Sequence, residues 1–439
     1  MKQQKTNNWQ IKKLGEVCDL QNGYAFKSSD YIENSNTLIF RMSQIRPGGS
    51  LDLNHNSKYL PDNFVEKYTD YILKDGDVVI AMTDMASETK ILGLPTYFKS
   101  DGRNFLLNQR VGKLHKFNVD EINIKYLRYI LSSPNIIHYY KSFGKGALQI
   151  NLGKNDILSA EIPIPPIETQ HAIVSKIEEL FSELDKGIAE LKTAQQQLKT
   201  YRQSVLKSAF EGKLTNDNVK DGELPDGWEM VLITDLAEKD KNSLKAGPFG
   251  SSLKKEFYTP SGYKIYGQEQ VISGNPYYGD YYINEKKFQE LYSCRVKPLD
   301  ILISLVGTVG KVLLLPHNCE EGIINPRLIK ISLNKDIYSP QFFKYYFESS
   351  YVKSFYKAET RGTTMDVLNL GIIKTIPFPK PSIVEQHQIV QEIESRLSVA
   401  DKMEQSIQES LQKAEALRQS ILKKAFCGEL VNKENLATI

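Results

Sequence analysis

The sequence predicts an α+β fold: two mixed α/β heads alternate with two long helices that pair as an antiparallel coiled coil, and the halves are related by an internal pseudo-two-fold axis. Three observations predict it. The chain repeats itself at a period above 200 residues. Each copy ends in an apolar seam at helical spacing. Before each seam, short apolar runs alternate with turn residues, as in sheet structure. With 439 residues, 41% hydrophobic and 25% charged, the chain is long enough for several domains with their own cores. Its 56 basic and 53 acidic residues leave a net charge of +3, which excludes a histone-like basic tail and an acidic disordered chain.

The repeat is clearest near the end of each copy. PPIETQHAIVSKIEELFSELDK (165–186) aligns without a gap on PSIVEQHQIVQEIESRLSVADK (381–402), and RQSVLKSAFEGKL (202–214) on RQSILKKAFCGEL (418–430). From 165 to 215, 21 of 51 positions are identical at an offset of 216. Upstream the match fades. Tyr126-Leu127-Arg128-Tyr129 faces Phe342-Phe343-Lys344-Tyr345, Leu107-Asn108-Gln109-Arg110 faces Ile324-Asn325-Pro326-Arg327, and Trp9 faces Trp228. A period this long means two domain-sized halves rather than a solenoid of short repeats.

Residues 1–160 form the first head, with strands expected at Tyr71-Ile72-Leu73 and Val78–Met82 and a short helix over Ile124–Leu131. Residues 161–215 form the first arm. Its seam carries Ile173, Ile177, Leu184, Leu191, Leu198 and Val205, with Glu, Lys and Gln between. Residues 216–227 are polar with Gly and Pro, which suits a linker. Residues 228–376 form the second head, with strands at Asp300–Leu305 and Val312–Leu315 and a helix over Gln341–Glu348. Residues 377–431 form the second arm, whose seam includes Ile389, Ile393, Ile407, Leu411 and Ile421. Prolines stop just before each arm helix, and Gly212 and Gly428 end them. About 40 residues at ~1.5 Å each give a rod of roughly 60 Å.

Catalytic motifs are missing. Gly307-Thr308-Val309-Gly310-Lys311 lacks the outer glycine and the Ser/Thr of a phosphate-binding P-loop. Asn275-Pro276-Tyr277-Tyr278 lacks the second proline of an amino-methyltransferase motif, and no HExxH, GxSxG or CxxC occurs. His317 and Cys319 are at most half a metal site, and no metal is expected. His171 and His387 hold equivalent positions on the turn that starts each arm, which suits a scaffold role. No nucleophile, base and stabiliser come together, so the chain is not expected to be an enzyme. Cys18, Cys294, Cys319 and Cys427 have no regular spacing, which fits a reducing compartment. The polar start MKQQKTNNWQ predicts no secretory leader, and no apolar run is long enough to span a bilayer.

The tandem of variable head, IPxP, xQHxIV, long helix and S(V/I)LKxAFxGxL resembles the specificity subunit of type I restriction-modification enzymes. GPFGSSLKKEFY (247–258), its weaker counterpart GYAFKSSDY (23–31) and Gly76-Asp77-Val78-Val79-Ile80-Ala81 also fit that family. The resemblance covers essentially the whole chain. It implies that each head is a target recognition domain reading one half of a bipartite, asymmetric site in double-stranded DNA. The coiled coil would set the spacer and dock two methyltransferase subunits that bind S-adenosylmethionine and methylate adenine. Restriction subunits would add ATP- and Mg-dependent translocation and cleavage. This chain would bind no cofactor itself and would serve host defence in a prokaryotic cytoplasm. The competing readings are a stand-alone coiled-coil DNA binder with an architectural or regulatory role and a structural adaptor that never meets DNA.

Base reading favours Arg, Lys, Asn and Gln, and phosphate positioning favours Lys, Arg, Ser and Thr. In the first head these criteria select Lys27, Ser28, Ser29, Arg41, Ser43, Gln44, Arg46, Lys145 and Gln149. In the second they select Lys254, Lys255, Gln268, Gln270, Arg361, Thr363 and Thr364. Arg110 and Arg327 match between the copies. A residue shared by both heads cannot distinguish two targets, so these two suit a phosphate or scaffold role. The heads also differ in charge: residues 1–160 carry 21 basic and 16 acidic side chains, net +5, whereas 216–376 carry 20 of each. The first head is therefore expected to rely more on phosphate contacts.

Overall fold

The computed structural model describes residues 9–87, 89–144, 148–216, 218–220, 222–306, 308–359 and 368–431. They form two compact units: the chain up to Leu191 together with residues from Glu409 onward, and Lys192–Gln408. Each unit thus holds one head, the first half of its own arm helix and the second half of the other copy's.

In the first head, Asp19–Asn22, Val111–His115, Val78–Ala81 and Pro95–Tyr97 make an antiparallel sheet in that order. A second sheet orders Tyr59–Leu60, Thr37–Phe40 and Asn104–Leu107, the last pair parallel. The second head repeats the plan. Leu244–Ala246, Leu328–Ile331, Ile301–Ser304 and Val312–Leu314 match the first sheet. Tyr263–Tyr266 runs parallel to Gly322–Ile324 in the second. The helices Ile124–Leu131 and Pro340–Phe347 lie where periodicity put them. The Tyr71–Leu73 strand does not form. Thr69–Tyr71 close a 3-10 turn, and Ile72 makes a single bridge to Leu106. One pairing belongs to the first head alone among the described residues: Thr83–Met85 with Gln149–Asn151.

The prolines before the arms have a structural reason. Glu161–Ile164 pairs only with Gln10–Lys13, and Pro377–Lys380 only with Glu229–Leu232. A two-stranded ladder leaves half its N–H groups unused, so proline costs little there. Spare carbonyls take tyrosine hydroxyls: Tyr126 donates to Pro163 at 2.9 Å, Tyr338 to Pro379 at 3.1 Å and Tyr346 to Pro377 at 2.7 Å.

The arm helices run Ile167–Phe210 and Ile383–Phe426. Both end two residues before equivalent glycines of the repeat, Gly212 and Gly428, whose φ values of 77° and 76° suit a left-handed helix stop. Their seam residues fall into two groups. Ile173, Ile177 and Ile421 are buried in the first head's core, and Val205, Ile389 and Ile393 in the second's. Leu184, Leu191, Leu198, Ile407 and Leu411 are only half-buried. Two helices alone cannot enclose a side chain, whereas a head beside them can. At ~1.5–3 kcal/mol for each fully buried large aliphatic group, the stability of the arms is concentrated at their ends.

Direction is fixed by reciprocal contacts within each unit. In one, Arg418 pairs with Asp185; in the other, Arg202 pairs with Asp401 at 2.7 Å. In repeat numbering these are the same pair. Rising numbers on one helix meet falling numbers on the other, so the helices are antiparallel. The aromatic ends obey the same rule: Phe426 meets Tyr126 edge-on at 5.4 Å, and Phe210 meets Phe342 at 5.3 Å.

Candidate nucleic-acid interface

Both heads build one loop frame from segments far apart in sequence. Gly23 of GYAFKSS lies against Asn108 so closely that a Cβ would collide with the Asn108 carbonyl, and Gly247 of GPFGSS lies against Asn325 in the same way. Only glycine permits that approach. The Gly23 N–H donates to Val111 O at 3.2 Å, and the Gly247 N–H to Leu328 O at 2.9 Å. The asparagines turn the chain. Asn108 Oδ1 accepts from the Arg110 N–H at 3.4 Å, and Asn325 Oδ1 from the Arg327 N–H at 2.9 Å. Beside this frame the parallel strand ends in a short capped turn. Gln44 Oε1 accepts the Arg41 N–H, and Gln270 Oε1 the Gly267 N–H, both at 2.8 Å.

Those two glutamines correct the sequence-based expectation. Gln44 and Gln270 are 0% and 1% exposed. Their amide groups also donate to the carbonyls of Leu53 and Tyr278. Buried, and bonded to backbone through both amide atoms, neither side chain is accessible to a base edge. Gln44 and Gln270 shape the turns that carry their neighbours.

The frame gathers Arg41, Ser43 and Arg110 around a concavity of about 350 Å³, joined by Asn56, Asn108 and Gln109. Asn108 and Gln109 are the residues that sequence reasoning passed over. They stood in view within LNQR and were used there only to align the copies. Lys27, Ser28 and Ser29 are exposed on the neighbouring 3-10 turn, and Arg46 is half-buried at the turn closed by Ser50. Near Lys27, Tyr24 packs tilted or edge-on against Phe26, Tyr68 and Tyr71, and its hydrogen bond to Tyr68 raises its phenol above the ordinary value. Gln149 stands apart, in the strand opposite Met85.

In the second head, Gln268 and Arg327 meet each other: Arg327 Nη1 donates to Gln268 Oε1 at 3.4 Å. Gln268 Nε2 donates to Ser304 Oγ at 2.9 Å and to the Val306 carbonyl. Lys254 and Lys255 are exposed, with Lys254 3.7 Å from Glu256. Other cations of this head are spent internally, Lys264 on Glu320 at 2.8 Å and Lys297 on Glu238. Burial pushes Lys330 below its ordinary value and pushes its partner Asp300 up. Lys145, Arg361, Thr363 and Thr364 lie outside the described residues.

The arm-starting motif QH has a second residue of consequence. Gln170 is fully buried; its Oε1 accepts the Asn123 N–H at 2.9 Å, and its Nε2 donates to the carbonyls of Glu121 and Pro165 at 2.7 and 2.8 Å. Gln386 does the same with Ser339, Ile337 and Pro381 at 2.7, 3.0 and 2.9 Å. These bolts tie each arm to the helix of its own head. His171 lies beside them, its Nδ1 3.3 Å from Asn123 Nδ2.

Two unlike heads are built on one duplicated frame, each followed by a long arm helix, the layout of a two-part recognition scaffold. Among the described residues no cluster of three His, Cys, Asp or Glu could hold a metal, and no helix is long and apolar enough to cross a membrane. The family model for the type I restriction modification DNA specificity domain matches twice, over residues 6–193 and 225–413, and the chain belongs to that family. It is 25% identical to the EcoBI specificity subunit of Escherichia coli, covering 97% of this chain and 86% of that one. It is 24% identical to the EcoKI specificity subunit of Escherichia coli K12 over 96% and 89% of the two chains. A chain from a type I R-M system, solved in a study of complex assembly and conformational transition, superposes with a TM-score of 0.69 at 18% identity, covering 96% of this chain and 98% of its own. The HsdS subunit from Thermoanaerobacter tengcongensis superposes at 0.51, with 18% identity over 96% and 97% of the two chains.

Proposed function

We propose that this chain selects the DNA sequence for a type I restriction-modification complex, each head reading one half of a bipartite, asymmetric target. The observation that carries this reading is one frame present twice with unlike side chains at matching loop positions. Arg41 stands where the second head has Gly267, and Ser43 where it has Glu269, as judged from the strands that pair Phe40 with Leu107 and Tyr266 with Ile324. Shared frame residues hold the loops, and the differing residues supply two readouts. Heads 1–160 and 228–376 are the two target recognition domains, 161–215 and 377–431 the arms and 216–227 the linker.

The arms set the spacing between half-sites and dock two methyltransferase subunits. Adenine methylation with S-adenosylmethionine, and ATP- and Mg-dependent translocation and cleavage by restriction subunits, belong to those partners. The complex works on DNA in a prokaryotic cytoplasm. The test is to express the cognate methyltransferase subunit with and without this chain and to map methylated adenines across the genome. One bipartite asymmetric motif is expected with the chain and none without it. Equal methylation in both would overturn the proposal.

A further inference from the structure

We infer that the concavity of the first head seats one backbone phosphate of DNA between Arg41 and Arg110, and that the second head has no equivalent seat. The inference rests on the DNA-recognition reading and adds a ligand class and an asymmetry to it.

The lining decides the chemistry. It carries two guanidinium groups and no carboxylate. Guanidinium donates and never accepts, so the fitting ligand is rich in acceptors and anionic. Arg41 is steadied by Nη1 donating to the Asn56 carbonyl at 3.3 Å. Arg110 is exposed, and its guanidinium makes no hydrogen bond among the described residues. Ser43 adds a hydroxyl that is buried without a partner among the described residues. A guanine edge offers two acceptors to one arginine fork. Two arginines from separate segments suit a charged group that accepts from several directions.

The second head answers as a natural substitution series. Arg41 is replaced by Gly267, and a Cβ there would lie 2.8 Å from Asn325 Nδ2, so a longer side chain fits only if the Asn325 amide shifts. Ser43 is replaced by Glu269, whose charge repels a phosphate. The counterpart of Arg110, Arg327, gives one of its five N–H groups to Gln268. Two of the three elements of the seat are replaced in the second head, and the third, Arg327, is partly engaged.

The test uses the chain assembled with its cognate methyltransferase subunits and a duplex bearing the sequence assigned by methylation mapping. Binding constants are measured across a salt series for wild type, Arg41→Ala, Arg110→Ala, the double variant and Arg110→Lys. Each alanine should lower the slope of log K against log [salt] by about 1, the double variant by about 2, and Arg110→Lys should restore it. The methylated sequence should not change. Unaltered slopes in variants with wild-type melting curves would overturn the inference. So would relaxed preference at one base pair, which would make the arginine a base reader. If the wild-type complex fails to prefer its mapped sequence over a scrambled duplex, the DNA-recognition reading falls first.

Discussion

Gln170 and Gln386 perform one task in the two halves of the molecule, whereas Arg41 and Gly267, at matching positions, cannot. The difference follows from what each residue touches. The glutamines bind backbone N–H and C=O groups, which every copy of the frame presents alike. Gly23 and Gly247 lie against a backbone carbonyl and are fixed for the same reason. Arg41 and Ser43 line an open concavity, and their counterparts, Gly267 and Glu269, differ. Duplication here has preserved the contacts made with the chain itself and released those made with something else.

The sharpest way to probe the shared frame is to break it at the same place twice. Ile177→Ala and Ile393→Ala each remove a fully buried side chain from the head–arm core, and each should cost about 2–5 kcal/mol in denaturant unfolding. Unequal losses would show that the two cores are not equivalent.

Gln170→Ala and Gln386→Ala come next. Each leaves buried backbone groups without partners, which should cost about 1–3 kcal/mol, again matched between halves. A loss below this range in both would mean that water replaces the amide and that the bolt is not structural.

The smallest effects belong to the ion pairs along the arms. Arg202→Ala and Arg418→Ala remove exposed pairs and should each change stability by about 0.2–1 kcal/mol, less at high salt. Their role is to choose the antiparallel register. A charge swap at Asp185 and Arg418 together should restore most of the loss, and failure to do so would weaken that assignment.

The arms were legible in the sequence because a seam that recurs every three or four residues over 44 residues leaves no rival period. What the seam could not disclose was its uneven burial. Leu191 and Ile177 look alike in sequence, yet only Ile177 has a head beside it. The loop frame was harder. Gly23 and Asn108 are distant in sequence, and only the sheet brings them together. Gln44 and Gln270 were misplaced for a related reason. Glutamine in a polar loop suits a base edge or a turn equally well, and the backbone groups that claim its amide become visible only when the chain is folded. Arg110 and Arg327 follow matching asparagines, but the bond from Arg327 to Gln268 is one that no repeat alignment exposes.

The central claim is that the two heads are independent readers on a common frame. The direct measurement replaces residues 1–160 with the corresponding head of a relative that methylates a different sequence, and maps methylated adenines in cells containing the cognate methyltransferase. The account predicts that one half of the bipartite motif changes while the other half and the spacing between them stay the same. A motif in which both halves change, or neither does, would contradict it.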